Sequence, residues 1–167
     1  MLAYVKSDAR GALDALLSGV ASQLSASGVA VCGAVQINEQ RSGGVKSHMD
    51  LHLYPTGEHV RISQDLGSQA TGCRLDPDGL EHAVARVEAL LAEGADILIV
   101  NKFGKQEASG HGFRSIIGEA IAAGIPVLCG IGGDALAAFE DFASGLADPV
   151  PANAAAVLEW AQSATHK

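Results

Sequence analysis

The residues best equipped for chemistry stand together at Asn101, Lys102, Gly104, Lys105 and Glu107, directly after the apolar run Ile97-Leu98-Ile99-Val100. Two ammonium groups, an asparagine side chain and a glycine that lets backbone N–H groups be approached closely make a turn suited to phosphate or another oxyanion, met by charge-assisted hydrogen bonds. A nucleotide hydrolase keeps a carboxylate at the end of such a strand, where it holds magnesium or polarises water. Here Asn101 and Lys102 stand in its place, so the turn is fitted for holding an anion more than for cleaving one.

A second constellation is His48-x-Asp50-x-His52. Spacing of two on a strand projects all three side chains to one side, where imidazole and carboxylate groups can take a metal or, when the rings are protonated, an oxyanion. The same alternation also describes the solvated face of a hairpin, so both readings stay open. A third group is Lys6, Arg10 and Gly11, in a loop after a short apolar strand.

These residues need a scaffold, and the periodicities supply one. Leu2 to Val5 reads as a strand, and Leu13, Leu16, Leu17, Val20 and Leu24 recur at helical spacing. Val29 to Val35 is an apolar strand that gives way to the polar run Gln36 to Lys46. Met49, Leu51 and Leu53 then alternate with His48, Asp50, His52 and Tyr54, and Pro55-Thr56-Gly57 turns the chain into a return strand from His59 to Ile62. Asp76-Pro77 opens a helix lined by Leu80, Ala83, Val84, Val87, Leu90 and Leu91, and Gly94 stops it. Strand Ile97 to Val100, a helix bearing Phe113, Ile116, Ile117 and Ala120, and strand Pro126 to Cys129 follow. Helices from Asp134 to about Phe142 and from about Asn153 to Ala161 complete the order.

Strands alternating with helices predict a mostly parallel sheet flanked by helices, with an inserted antiparallel hairpin; ligands of such sheets gather at the carboxyl ends of the strands. Lys6, Arg10, Arg41, Lys46, Lys102, Lys105 and Arg114, seven of the chain's eleven basic residues, fall near that edge. The chain as a whole carries a formal charge of -8, which argues against nucleic acid or an anionic membrane as partner and leaves a small anion met locally. Its 167 residues, 48% hydrophobic and 4% aromatic, suit one α/β domain over 1–167. Cys32, Cys73 and Cys129 form no Cys-x-x-Cys pair and read as free thiols. With no basic leader and no run long enough to span a bilayer, the expected place is the cytoplasm.

The order of parts resembles the small P-loop nucleoside-triphosphatases known from thermophiles, whose second half carries a helix, an apolar strand, a turn of the form Asp-Glu-x-Gly-Lys-x-Glu and a Phe-containing helix. Gly104, Lys105, Glu107 and Phe113 match that frame, and Asn101 and Lys102 replace its two acids. The strand at Gly28 to Gln36 and the hairpin at Tyr54 to Glu58 look similar too. The resemblance implies a P-loop-like fold, but a Walker A loop needs glycines around Gly-Lys-Ser/Thr, whereas residues 6–14 read Lys-Ser-Asp-Ala-Arg-Gly-Ala-Leu-Asp. The chain is also similar to an uncharacterised bacterial family with the signature Asn-Lys-Phe-Gly-Lys-x-Glu, whose association with molybdate uptake points to oxyanions.

Together these readings lean away from catalysis. The expected activity is binding of a small oxyanion, molybdate-like, or of a nucleotide's phosphates by Lys6, Arg10, Asn101, Lys102 and Lys105, with backbone amides near Gly11 and Gly104 and a neutral contact from Gln36. Alternatives are a divergent nucleoside-triphosphatase or phosphotransferase in which Glu107 or Asp8 supplies the missing acid, and a ligand-free regulatory module acting in a homo-oligomer. No catalytic residue and no metal or organic cofactor is assigned.

Overall fold

The computed structural model describes residues 1–9, 11–39, 48–64 and 74–165. Its strands are β1 (Leu2–Lys6), β2 (Val31–Glu39), β3 (His48–Tyr54), β4 (His59–Arg61), β5 (Ile97–Phe103), β6 (Val127–Ile131) and β7 (Ala147–Pro149). Its helices are α1 (Ala12–Ala26), α2 (Pro77–Ala92), α3 (Lys105–Ala108), α4 (Arg114–Ala122), α5 (Leu136–Ala143) and α6 (Ala154–Thr165). The strands form one sheet in the order β4-β3-β2-β5-β6-β1-β7. β2, β5, β6, β1 and β7 pair in parallel, and β3 and β4 pair antiparallel at one side. This is the expected α/β architecture with its added hairpin.

The sheet has a core on each face because alternate residues of a central strand point opposite ways. Ile97 and Ile99 of β5 pack with Leu13, Leu17, Val20 and Leu24 of α1 and with Val157 and Ala161 of α6. Leu98 and Val100 join Leu80, Val84 and Val87 of α2, Ile116 and Ile117 of α4 and Phe139 of α5. β5 is therefore apolar on both sides, as a strand covered by helices must be. α2 begins where Asp76 accepts the Asp78 N–H at 3.2 Å with Pro77 at the first turn, and Gly94, at φ 107°, follows its end.

The boundaries differ from the sequence reading where pairing overrides hydrophobicity. β2 runs on to Glu39, past the apolar stretch, because the hairpin strand extends its ladder through Asn38↔Met49 and Glu39↔His48. α5 starts at Leu136 and not at Asp134: a turn closed by the Ala135 N–H on the Gly132 carbonyl, with Gly133 at φ 51°, takes up the preceding residues. β7 has three residues and no apolar period; only its pairing with β1 defines it, and Pro149, which has no N–H to give, sits at the sheet edge where that is tolerated. Among the described residues no helix is long and apolar enough to cross a membrane.

Candidate functional site

The sheet order brings the carboxyl ends of β2, β5, β6 and β1 side by side. Lys6 of β1 is in register with Ile131 of β6, and Ile131 with Phe103 of β5, so Lys6 and the Asn101–Phe103 segment lie level, two strand spacings or roughly 10 Å apart. The pairing of β5 shifts register between Val100 and Phe103. Phe103 turns inward, fully buried, with its ring 5.2 Å from Phe139 and 5.6 Å from Phe142. The irregularity puts Phe103 on the face of Leu98 and Val100, while Asn101 stays on the α1 face with Ile97 and Ile99; Asn101 is buried and Lys102 exposed.

Asn101 does not spend its amide on loop backbone or hold it out for an anion. Its Nδ2 donates to Asp14 Oδ1 at 2.9 Å, and Gln36 Nε2 donates to Asp14 Oδ2 at 3.4 Å. Asp14 is thus a carboxylate at the end of β5 that comes from α1, and sequence reasoning missed it. Its signal was there: Asp14, Leu17, Ala21 and Leu24 share one helical stripe, so Asp14 occupies a core position, and it is buried with them. With the N–H turned to Asp14, the amide oxygen of Asn101 is left buried with no hydrogen-bond partner among the described residues. What Asn101 can still offer is an acceptor.

Glycines set the close contacts around this segment. A Cβ on Gly130 would strike the Asn101 carbonyl and lie 2.8 Å from Leu17 Cδ1 and 2.9 Å from Leu13 Cδ2, so α1 seats directly on β6. A Cβ on Gly132 would lie 2.7 Å from Lys102 Cγ and Cδ; the lysine stem crosses the turn after β6. The Gly132 N–H is already bonded to the Phe103 carbonyl at 3.1 Å. The run Gly130-Ile131-Gly132-Gly133 therefore gives room to α1 and Lys102.

Glu107 also proves to be a fastener. Its Oε2 accepts the Gly104 N–H at 2.9 Å and its Oε1 the Phe113 N–H at 3.2 Å, which ties the lysine turn to the start of α4. Gly112, at φ 59°, leaves the space that Oε1 fills. Burial raises the Glu107 carboxyl above its ordinary range, the charge of Glu81 adds to this, and the backbone N–H bonds oppose it. The Gly104 amide, expected among the anion's contacts, is thus taken. Arg114 donates to the Glu107 carbonyl at 3.2 Å and lies 4.5 Å over the Phe142 ring, and so serves the same fastening.

Between these parts and α2 opens a cleft of about 420 Å³ lined by Gln36, Asn101, Lys102, Gly104, Lys105 and Glu107 on one side and by apolar side chains such as Leu51, Leu80 and Phe113 on the other. Four of the expected ligand residues, Gln36, Asn101, Lys102 and Lys105, thus share one cavity with Gly104. Lys6 lies at the same sheet edge but does not line the cleft; its ammonium is 3.7 Å from Asp8, and both are exposed. Gly11, at φ 73°, precedes α1 without a side-chain cap. Arg10, Arg41, Lys46 and Cys73 lie outside the described residues.

The hairpin constellation separates from this site. Met49 and Leu51 face the cleft, so by strand alternation His48, Asp50 and His52 face the other side of the sheet. Asp50 is held by Arg61, at 2.6 Å from Nε and 3.2 Å from Nη2, and His52 Nδ1 is 2.9 Å from His59 Nε2. Burial, and then the neighbouring His59, lowers the His52 pKa, opposite to what an imidazolium donor needs. Among the described residues no group of three or more His, Cys, Asp or Glu is placed to hold a metal. Cys32 and Cys129 are buried free thiols whose pKa burial raises, that of Cys32 to about 11.

The fold is that of small P-loop proteins. Over 100% of both chains it is similar to the crystal structure of THEP1 from the hyperthermophile Aquifex aeolicus, with a TM-score of 0.70 and 13% identity. It is likewise similar to the solution structure of a human cancer-related nucleoside triphosphatase, with a TM-score of 0.63 and 17% identity over 99% of this chain and 97% of that one. In sequence, 148 residues are 36% identical to the molybdenum import ATP-binding protein ModC 2 of Bradyrhizobium diazoefficiens. That match takes in 89% of this chain but 16% of the length of that relative. Residues 2–160 match the family described as protein of unknown function (DUF2478), and the chain belongs to that family.

Proposed function

We propose that the chain binds a small anion, an oxyanion of the molybdate type or the phosphates of a nucleotide, at the carboxyl edge of β5. The observation that carries this reading is the placement of Lys102 and Lys105 on one cleft in a chain of net charge -8. Two cations on a partly enclosed surface give charge-assisted hydrogen bonds that an acidic protein otherwise lacks. The molybdate version draws support from the name of the relative in molybdenum import, the nucleotide version from the P-loop fold. A cytoplasmic setting accords with the buried free thiols Cys32 and Cys129. Calorimetric titration of molybdate, phosphate and ATP into wild type and into Lys102→Ala/Lys105→Ala tests the reading. Affinity should fall about tenfold or more in the folded double variant; an unchanged affinity places the site elsewhere.

A divergent nucleoside-triphosphatase is the second reading, favoured by the nucleoside triphosphatase among proteins of the same fold. Against it stands the engagement of Glu107 by Gly104 and Phe113, which leaves that carboxylate committed to the loop. Turnover of ATP and GTP with magnesium should be absent or far below about one per second. Steady phosphate release at that rate, lost in Glu107→Gln, would promote the enzyme reading.

A further inference from the structure

The hairpin holds a pair of metal-ligating side chains apart from the anion site. Between β3 and β4 the Ile62 N–H meets the Met49 carbonyl at 2.9 Å and the Leu53 N–H meets the Glu58 carbonyl at 2.8 Å, which marks every second opposed pair as hydrogen-bonded. His52↔His59 is one of the pairs between them, where antiparallel strands bring opposed side chains closest. Register alone therefore sets imidazole against imidazole. His52 Nδ1 stands 2.9 Å from His59 Nε2, with the ring centroids 5.0 Å apart.

The surroundings hold one ring and leave the other open. His52 lies opposite Val35 of β2 and packs edge-on against Tyr54 at 4.8 Å, and a Cβ on Gly57 would come within 3.8 Å of its Cε1. His59 is exposed on the edge strand, so an ion can reach the pair from solvent. The neighbouring pair on the same face, Asp50 and Arg61, is closed on itself at 2.6 and 3.2 Å. Two imidazole nitrogens are thus the donors that this face offers.

We propose that His52 Nδ1 and His59 Nε2 bind one divalent transition-metal ion of the nickel(II) or copper(II) class, with water in its other positions. At metal–nitrogen distances of roughly 2.0–2.1 Å, nitrogens at right angles about an ion stand about 2.9 Å apart, whereas tetrahedral angles spread them to about 3.3 Å. The spacing in the hairpin matches the right angle, which suits those two ions. Each ring then carries its proton on the outward nitrogen, His52 Nε2 and His59 Nδ1, so neutral imidazoles coordinate without losing a proton. The ion clamps the edge strand β4 to β3, and the inference stands independently of the anion reading.

Calorimetric titration of nickel chloride into the untagged full chain at neutral pH should show one ion bound per chain below millimolar concentration. His52→Ala and His59→Ala, each folded by circular dichroism, should weaken it about tenfold or more, because the second nitrogen no longer binds within the same molecule. His82→Ala, which removes an exposed histidine of α2, should bind as wild type does. Saturating nickel should raise the melting temperature of wild type, and the rise should vanish in His59→Ala or with EDTA. Copper(II) on the wild type should show two imidazole nitrogens by electron paramagnetic resonance. No saturable nickel binding at millimolar concentration, or an affinity that survives either hairpin substitution, overturns the proposal.

Discussion

Asp14 and Asn101, 87 residues apart in sequence, are joined by a buried hydrogen bond of 2.9 Å between the first turn of α1 and the end of β5. The bond closes the end of β5 from the α1 side and leaves the Asn101 amide oxygen buried without a partner among the described residues.

Asp14→Asn should separate stability from binding. The new amide satisfies at most one of the two donors that Asp14 now accepts, from Asn101 and Gln36, and leaving the other unpaired costs about 1–3 kcal/mol. Urea denaturation reads that loss. Removing the negative charge that is bonded to Asn101, the residue before Lys102, should at the same time strengthen phosphate binding by roughly threefold or more. A folded variant with weakened phosphate binding would mean that Asp14 orients the site and does not oppose the anion.

Glu107→Gln should show its largest deficit in acid. The folded-state pKa of Glu107 lies above its ordinary value of 4.5 because burial disfavours the charged form. Its contribution is thus complete below that value and declines as pH rises through the folded pKa. The stability gap between wild type and Glu107→Gln should narrow from pH 4 toward neutrality. A gap that widens with pH would show that the two backbone N–H bonds outweigh desolvation.

The hairpin should respond in the opposite sense. The His52 pKa is lowered by burial first and by His59 second, so the fold favours the neutral ring. Its share of stability is present above the ordinary value of 6.5 and is lost as pH falls below it. An NMR titration should place His52 below 6.5 and show it moving up in His59→Ala. A His52 that titrates above 6.5 would restore the imidazolium role that its spacing allowed.

Gly130→Ala should destabilise the fold by roughly 1–3 kcal/mol, the range of overpacked cores. The added methyl meets the Asn101 carbonyl, Leu17 and Leu13 together, and none of them has free space to yield. Thermal melting gives the answer; a neutral effect would mean that α1 can lift from β6.

The elements that follow hydrophobic period were legible in the sequence, and α2, with Asp76-Pro77 at one end and Gly94 at the other, shows why: caps and stripe agree on one helix. The lysine turn was legible as well, because its residues are contiguous. Asp14 was not, since a carboxylate 87 positions away reaches Asn101 only when α1 lies on Gly130. Nor did spacing reveal that Glu107 would be spent on Gly104 and Phe113, because backbone N–H groups write nothing into a sequence. For His48, Asp50 and His52, two-residue spacing gives a shared direction, but it does not show that Asp50 and His52 meet Arg61 and His59 of the neighbouring strand.

Gly130 has a mechanical consequence. Leu13 and Leu17 rest on it, and Asp14 between them grips Asn101, so α1 and the end of β5 behave as a lever and its catch. Gly11, at φ 73°, leads into that lever. Moving α1 off the sheet would break the Asp14–Asn101 bond or turn the Asn101 amide with the helix. The first helix and two strands, β5 through Asn101 and β2 through Gln36, are thus joined at one carboxylate.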